Sequence, residues 1–393
     1  ISQTDFSAFE VGKNLAITEG SVIYQTPVFQ LIQYKPLTSE VYEIPLLYVP
    51  HWINKYYIVD LRPENSLVKY LLENGIQLFL VSWRNFDNES GKDITFNDYA
   101  KSVLEAMDVV NQISGSPKMH MMGYCIGGTL LGIVLAYLAK KKTLKEKVQT
   151  ATFLASMLDF CDRGPLGNII TPELYNKMKR ILARKGVFDG RIMHEAFNWI
   201  RANDLVWTFF VNNYLKGSSP PPFDLLYWTN DNTNFPAKAY LYYLKNIVIE
   251  NKLSQPNKLR ILNTLIDLTR IDIPVFVVAT QEDHISPPLS AWRTTELVSG
   301  EVEFVLGKSG HVMGIINPPS KNKYGYYYQG ELGNGFEHWK KTAKEEKGSW
   351  WPYWINYLQN RSGKKIKAPE KTGSSIYKEI EKAPGSYVLE KIK

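Results

Sequence analysis

The stretch Gly123-Tyr124-Cys125-Ile126-Gly127-Gly128 lies between two apolar runs and constrains the fold more than any other feature of the chain. Its G-x-C-x-G spacing describes a nucleophile elbow with sulfur where oxygen is usual. A strand must turn sharply into a helix there, and the cysteine occupies the strained turn. Glycines two residues to either side let the backbones pass without Cβ clashes. The thiol then stands at the top of a sheet, near the N-terminus of a helix starting at about Ile126, where unpaired amides favour a thiolate. The plain alternative is a buried structural cysteine in a glycine-rich turn.

The flanking pattern suits the elbow. Short, punctuated apolar runs at 44–49, 76–83, 119–122, 148–155, 273–279 and 302–306 read as buried parallel strands. Helical spacing covers 60–73, with Pro63 in the first turn, then 96–113 and 126–139. This alternation predicts an α/β fold with a mostly parallel, doubly wound sheet. Residues 1–43 read as an irregular lead-in with short β segments, and those from about Lys364 as a surface tail.

The strand rhythm breaks between about Arg163 and Ile271, where helical patterns, Gly217-Ser218-Ser219-Pro220-Pro221-Pro222 and a dense aromatic section follow one another. So long a segment between two sheet strands exceeds an ordinary loop. We expect a helical cap over the carboxyl ends of the strands, where ligands bind in such sheets; a packing subdomain away from the site is the alternative. The expected divisions are 1–162 for the first part of the core with its lead-in, 163–271 for the cap, and 272–393 for the second part of the core and the tail.

The chain has 393 residues, a net charge of +7 and no basic stripe interleaved with readout residues, which argues against a nucleic-acid partner. Its two cysteines, Cys125 and Cys161, make no disulfide framework and fit a reducing compartment. No apolar run approaches the roughly 18 residues of a membrane helix. The start at Ile1 without a methionine suggests a fragment or a processed beginning.

An elbow nucleophile needs a base and an orienting acid, which follow it in the α/β-hydrolase order as acid, then histidine. His311 lies in a loop after the last parallel run, where the base of this architecture belongs; a loop histidine bonded to a carbonyl is the alternative. Asp283, after the 273–279 run, is placed to meet it, with Asp159 and Glu282 as rivals. His284 reads as structural, His120 as packed in a strand, and His194 and His338 have no partner visible in the sequence. An oxyanion hole would use the backbone N–H of Ile126 and a second from the loop around Trp52-Ile53, with Ile53 the candidate. Sulfur in the elbow suits acyl transfer, since a cysteinyl thioester stays activated for attack by an alcohol. Water could attack the same intermediate, so a cysteine-elbow hydrolase of the thioesterase or dienelactone-hydrolase type is the rival reading. A non-catalytic protein retaining the fold is the third.

Several segments together resemble the catalytic part of polyhydroxyalkanoate synthases, most like class I. They are Trp52-Ile53-Asn54-Lys55-Tyr56-Tyr57, Ser82-Trp83-Arg84-Asn85, the cysteine box, Asn203-Asp204-Leu205, Phe223-Asp224-Leu225-Leu226-Tyr227-Trp228, Asp283-His284-Ile285 and Gly310-His311-Val312. The likeness spans almost the whole chain. It implies an α/β-hydrolase fold with a helical cap and polymerisation of (R)-3-hydroxyacyl-CoA, typically 3-hydroxybutyryl-CoA, with release of CoA. It further implies Cys125 as acyl carrier with Asp283 and His311 as partners, and no cofactor or metal, the CoA thioester being a substrate. Asp283 is left with two roles under it, on His311 or on the incoming hydroxyl. A homodimer joined through the cap and residence at the surface of cytoplasmic polyester granules are also implied. The chain departs from the pattern in lacking a sizeable N-terminal domain, in His51 where proline is expected, and in Ser286-Pro287-Pro288 after the acid.

Overall fold

The computed structural model describes residues 2–200 and 202–392. Its centre is an 11-stranded sheet. In chain order the strands are β1 (Gly20–Gln25), β2 (Phe29–Tyr34), β3 (Leu46–Val49), β4 (Leu78–Trp83), β5 (Met119–Tyr124), β6 (Val148–Leu154), β7 (Val275–Thr280), β8 (Val302–Gly307), β9 (Tyr326–Tyr328), β10 (Lys344–Glu346) and β11 (Glu381–Lys382). Their spatial order is β10-β9-β8-β7-β6-β5-β3-β4-β2-β1-β11. From β8 through β4 every neighbour is parallel. The strands added at both flanks are antiparallel. This mostly parallel sheet flanked by helices is the α/β-hydrolase fold expected from the sequence.

The six apolar runs form these strands because each is buried on both faces. In β5 alternate side chains feed two cores: Met119 and Met121 pack on one side, Met122 and Tyr124 on the other. Three helices matter for the site: α1 (Leu67–Glu73), α2 (Phe96–Ser114) and α3 (Ile126–Lys140). The last is apolar nearly all round and buried along almost its whole length, as its composition requires.

The short β segments expected in the lead-in are β1 and β2, which extend the central sheet and are largely buried. Two expectations need correction. The expected helix at 60–73 is broken into short 3₁₀ turns at Tyr56–Asp60 and Pro63–Asn65 before α1. The buried Asp60 carboxylate accepts the hydroxyls of Thr18 and Ser66, both at 2.6 Å. Ser66 is thereby held extended, and its own oxygen accepts the Lys69 N–H at 2.9 Å to start α1. Local side-chain bonds outcompete continuous helix here. The tail is more than a surface strap, because β11 pairs with β1 and Tyr387 and Val388 are buried.

Between β6 and β7 the chain leaves the sheet for residues 155–274. It forms α4 (Pro172–Leu182) and α5 (Gly190–Ile200), then π-helical turns, α6 (Asp224–Asn230) and α7 (Ala237–Tyr242). The segment is fastened to the loop after β3. Trp228 Nε1 donates to Lys55 O at 2.8 Å, and Thr233 Oγ1 donates to Trp52 O at 2.5 Å. Tyr57 donates to Asp231 at 2.8 Å, and the buried Lys55 ammonium lies 2.9 Å from the same carboxylate.

The turn after β5 depends on missing side chains. A Cβ on Gly127 would stand 2.4 Å from Val49 O, and one on Gly123 would stand 2.5 Å from Gly128 Cα. Backbone cannot yield as a flexible side chain can. Gly127→Ala is therefore expected to destabilise the fold by about 1–3 kcal/mol, the usual cost of overpacking, measured by urea denaturation. A stability equal to wild type would show that α3 and β3 are not in such close contact.

Candidate active site

Cys125 follows β5 directly, at φ 53° and ψ −127°, a region that side chains other than glycine seldom occupy. Its N–H donates to Leu154 O at 2.9 Å, and its carbonyl accepts the N–H groups of Gly128 (2.9 Å) and Thr129 (3.2 Å). The turn is thus tied at once to β6 and to the first turn of α3. The sulfur is partly exposed, while Cys161 is exposed elsewhere. First-turn N–H groups of a helix lack intrahelical acceptors, and that of Ile126, the first residue of α3, stands next to Cys125 in the chain.

Asp283 stands three residues past β7, and His311 four residues past β8. His311 Nδ1 donates to Asp283 Oδ2 at 2.7 Å, and both side chains are buried. The carboxylate is fully engaged. Oδ1 accepts the N–H groups of Ile285 and Ser286, each at 2.8 Å, and Oδ2 also accepts the Thr280 hydroxyl at 3.2 Å. These bonds fix the acid in place, which fixes the ring it holds. Burial alone would lower the His311 pKa. The Asp283 carboxylate and then Cys125, by charge and by hydrogen bond, outweigh it and raise the imidazole to about 10.

The rival acids go elsewhere. Asp159 accepts from Arg293 at 3.0 Å and from the N–H of Cys161 at 2.7 Å, and the exposed Glu282 is not among the acceptors of His311. Of the other histidines, His120 is buried between Thr150 and Ser362 at 2.7 and 2.9 Å, as a packed residue would be. His338 has a partner invisible in sequence, Glu331 at 2.9 Å, and His194 lies 2.9 Å from Asn198.

Two residues at the site were not foreseen. The Tyr124 hydroxyl donates to His311 O at 2.9 Å, and its ring stacks on the imidazole at 5.6 Å. His51 is buried edge-on to Tyr124 (5.5 Å) and to Trp228 (5.6 Å). Its Nδ1 accepts the Asn54 N–H at 3.4 Å. Burial first, and then the charge on His311, lowers it to about 3, so it is neutral. The sequence signal for Tyr124 was its place in the box; His51 had none beyond its departure from an expected proline.

A cavity of about 80 Å³ opens beside the sulfur. Ile53, Cys125 and Ile126 line one side, and Phe235, Tyr240 and Tyr243 of the inserted segment line the other. Aromatic rings facing a thiol make a dry space, where charge interactions strengthen. All four elements of the site, the loop after β3 and the turns after β5, β7 and β8, lie at the carboxyl ends of parallel strands.

Comparison with known proteins follows this geometry. A family model described as Poly-beta-hydroxybutyrate polymerase (PhaC) N-terminus matches residues 1–71. A Cupriavidus necator protein called Poly(3-hydroxyalkanoate) polymerase subunit PhaC is 43% identical over 398 residues, covering 100% of this chain and 67% of that one. A Methylorubrum extorquens Poly(3-hydroxyalkanoate) polymerase is 40% identical, covering 99% of this chain and 64% of its own length. The chain thus spans about two thirds of the relatives it matches. Among solved structures, a thermophilic esterase from Thermogutta terrifontis matches with a TM-score of 0.44 at 12% identity, over 76% of this chain and 92% of that one.

The raised His311 pKa carries a stability consequence. Between its ordinary 6.5 and about 10 the folded chain holds a proton that the unfolded chain has lost. The stabilisation is fully present below 6.5 and disappears as pH rises through about 10. The unfolding free-energy difference between wild type and His311→Gln should therefore shrink steadily across that window in chemical denaturation; a difference that grows with pH would refute the assignment.

Proposed function

The chain belongs to the poly(3-hydroxyalkanoate) polymerase family, and on that premise we propose that it joins (R)-3-hydroxyacyl units from their CoA thioesters into polyester through an acyl group carried on Cys125. The observation that carries this is a buried imidazole whose Nδ1 is held by a fully bonded carboxylate and whose pKa is raised by Asp283 and by the Cys125 thiol of a positive-φ turn.

In this reading His311 holds the proton of Cys125, and the thiolate attacks the thioester carbonyl. The oxyanion forms against the N–H of Ile126 and the loop at Ile53, each such donor being worth about 3–4 kcal/mol in comparable sites. The C–S bond to CoA breaks, and CoA leaves with the proton from His311. The 3-hydroxyl of another hydroxyacyl-CoA then gives its proton to His311 and attacks the cysteinyl thioester. An ester forms, Cys125 is freed, and the lengthened chain, now on CoA, returns to Cys125 with release of that CoA. Asp283 fixes the ring orientation and stabilises its charged form. Thioester exchange is nearly neutral in free energy, whereas ester formation from a thioester runs downhill. Residues 163–271 act as a cap whose aromatic face keeps water from the intermediate, which favours alcohol over hydrolysis. Assembly as a homodimer at the surface of cytoplasmic polyester granules fits the same reading, and among the described residues no helix is long and apolar enough to cross a membrane.

Incubation with 3-hydroxybutyryl-CoA should yield insoluble polymer together with free CoA; free hydroxy acid alone would move the protein to the hydrolases. Cys125→Ala is expected to abolish CoA release, and release at the wild-type rate would remove the nucleophile assignment. Asp283→Asn should cost on the order of 10⁴-fold in turnover, as losing the orienting acid does in comparable triads. Asp159→Asn, whose carboxylate serves Arg293, should cost far less, and the reverse ranking in a CoA-release assay would exchange the two roles.

A further inference from the structure

The cavity beside Cys125 is about half the volume of a ~150 Å³ cavity that admits benzene. It leaves no room for a chain. A second space, of about 490 Å³, lies between α4 and α5. The two adjoin, with Ile170, Met193 and Tyr240 lining both. Leu174, Met178 and Leu182 form the α4 wall of this groove, and Met193 and Ala196 belong to the facing wall on α5. Ile181 and Ile192, also in its lining, are 50% and 54% exposed, so the groove opens to solvent.

We infer that this groove carries the growing polyester away from Cys125, one end joined to the sulfur and the other emerging past Ile181 and Ile192. The inference rests on the acyl-transfer reading above. A polyester offers methyl groups and weak carbonyl acceptors and no donors, so apolar walls satisfy it and water does not. The pantetheine arm of CoA is a poorer occupant: it brings two amides that need partners and ends in phosphates. Of the two basic side chains that line the groove among the described residues, Arg191 is already committed to Asp189, with Nε 2.9 Å from Oδ1 and a terminal nitrogen 2.6 Å from Oδ2. Lys185 is exposed and alone cannot hold the several phosphate charges of CoA.

The test narrows the groove away from the cavity. Ala196→Trp, and on the opposite wall Leu174→Trp, are assayed with 3-hydroxybutyryl-CoA beside Ala196→Ser, with thermal melting to verify folding. CoA release in the first turnover is read by a thiol reagent, and product length by size-exclusion chromatography. Either tryptophan should leave the first-turnover release unchanged and shorten the product by about an order of magnitude or more, as a narrowed path for the chain requires; Ala196→Ser should match wild type. Unchanged product length in a folded tryptophan variant overturns the inference. So does a raised KM for the thioester at unchanged length, which would give the groove to the pantetheine arm. Failure of the wild type to release CoA would instead bring down the acyl-transfer reading itself.

Discussion

A cysteine backbone held at φ 53° is the constraint on which the rest of the site depends. Left alone it would relax, since such a conformation costs on the order of 1–3 kcal/mol. It persists because both sides are overdetermined. The N–H belongs to the ladder with β6, the carbonyl to the first turn of α3, and Gly123, Gly127 and Gly128 let strand, helix and the β3 loop approach within contact that no Cβ would permit. The buried apolar surface of α3 and the parallel strands supplies the free energy that keeps this arrangement closed. Position follows from strain: a relaxed cysteine in this segment would point along the sheet, and the turn aims it outward at the strand ends.

Electrostatics at the site then follow from burial. A dry environment penalises every isolated charge, so the ones present must neutralise one another. His311 is charged because Asp283 and Cys125 face it, and His51 is neutral because burial and His311 both oppose a second proton. Two imidazoles separated by the ring of Tyr124 are thereby driven to opposite protonation states. Environment differentiates them, since the side chains are chemically the same.

Much of this was legible in the sequence, and the reason is local encoding. The six parallel strands announce themselves as short apolar runs because both their faces are buried. Cys125, Asp283 and His311 were selected by their places just after such runs; Asp283 and His311 are hydrogen-bonded, and Cys125 acts on the same imidazole. What escaped detection was encoded in contacts between distant segments. β1 and β2 were read as short β segments, but their place in the central sheet, paired with β11 and β4, leaves no mark in local spacing. The break before α1 came from Asp60 gathering the hydroxyls of Thr18 and Ser66, one of them 42 residues away. His51 has no periodic or motif signal; its neutrality is set by Tyr124 and Trp228 around it and by the charge on His311, which only the fold brings near.

The inserted segment also separates the parts of the site in time. Tyr124 and His311 touch across 187 residues of chain, whereas Asp283 and His311 are only 28 apart. On a ribosome the thiol emerges before the carboxylate and imidazole exist, and β7 and β8 are made after the strands they join. Contacts this distant close late in folding. A nascent or truncated chain ending before β7 carries Cys125 without Asp283 or His311, so the contacts around the imidazole close only after β8 and the loop beyond it have been made.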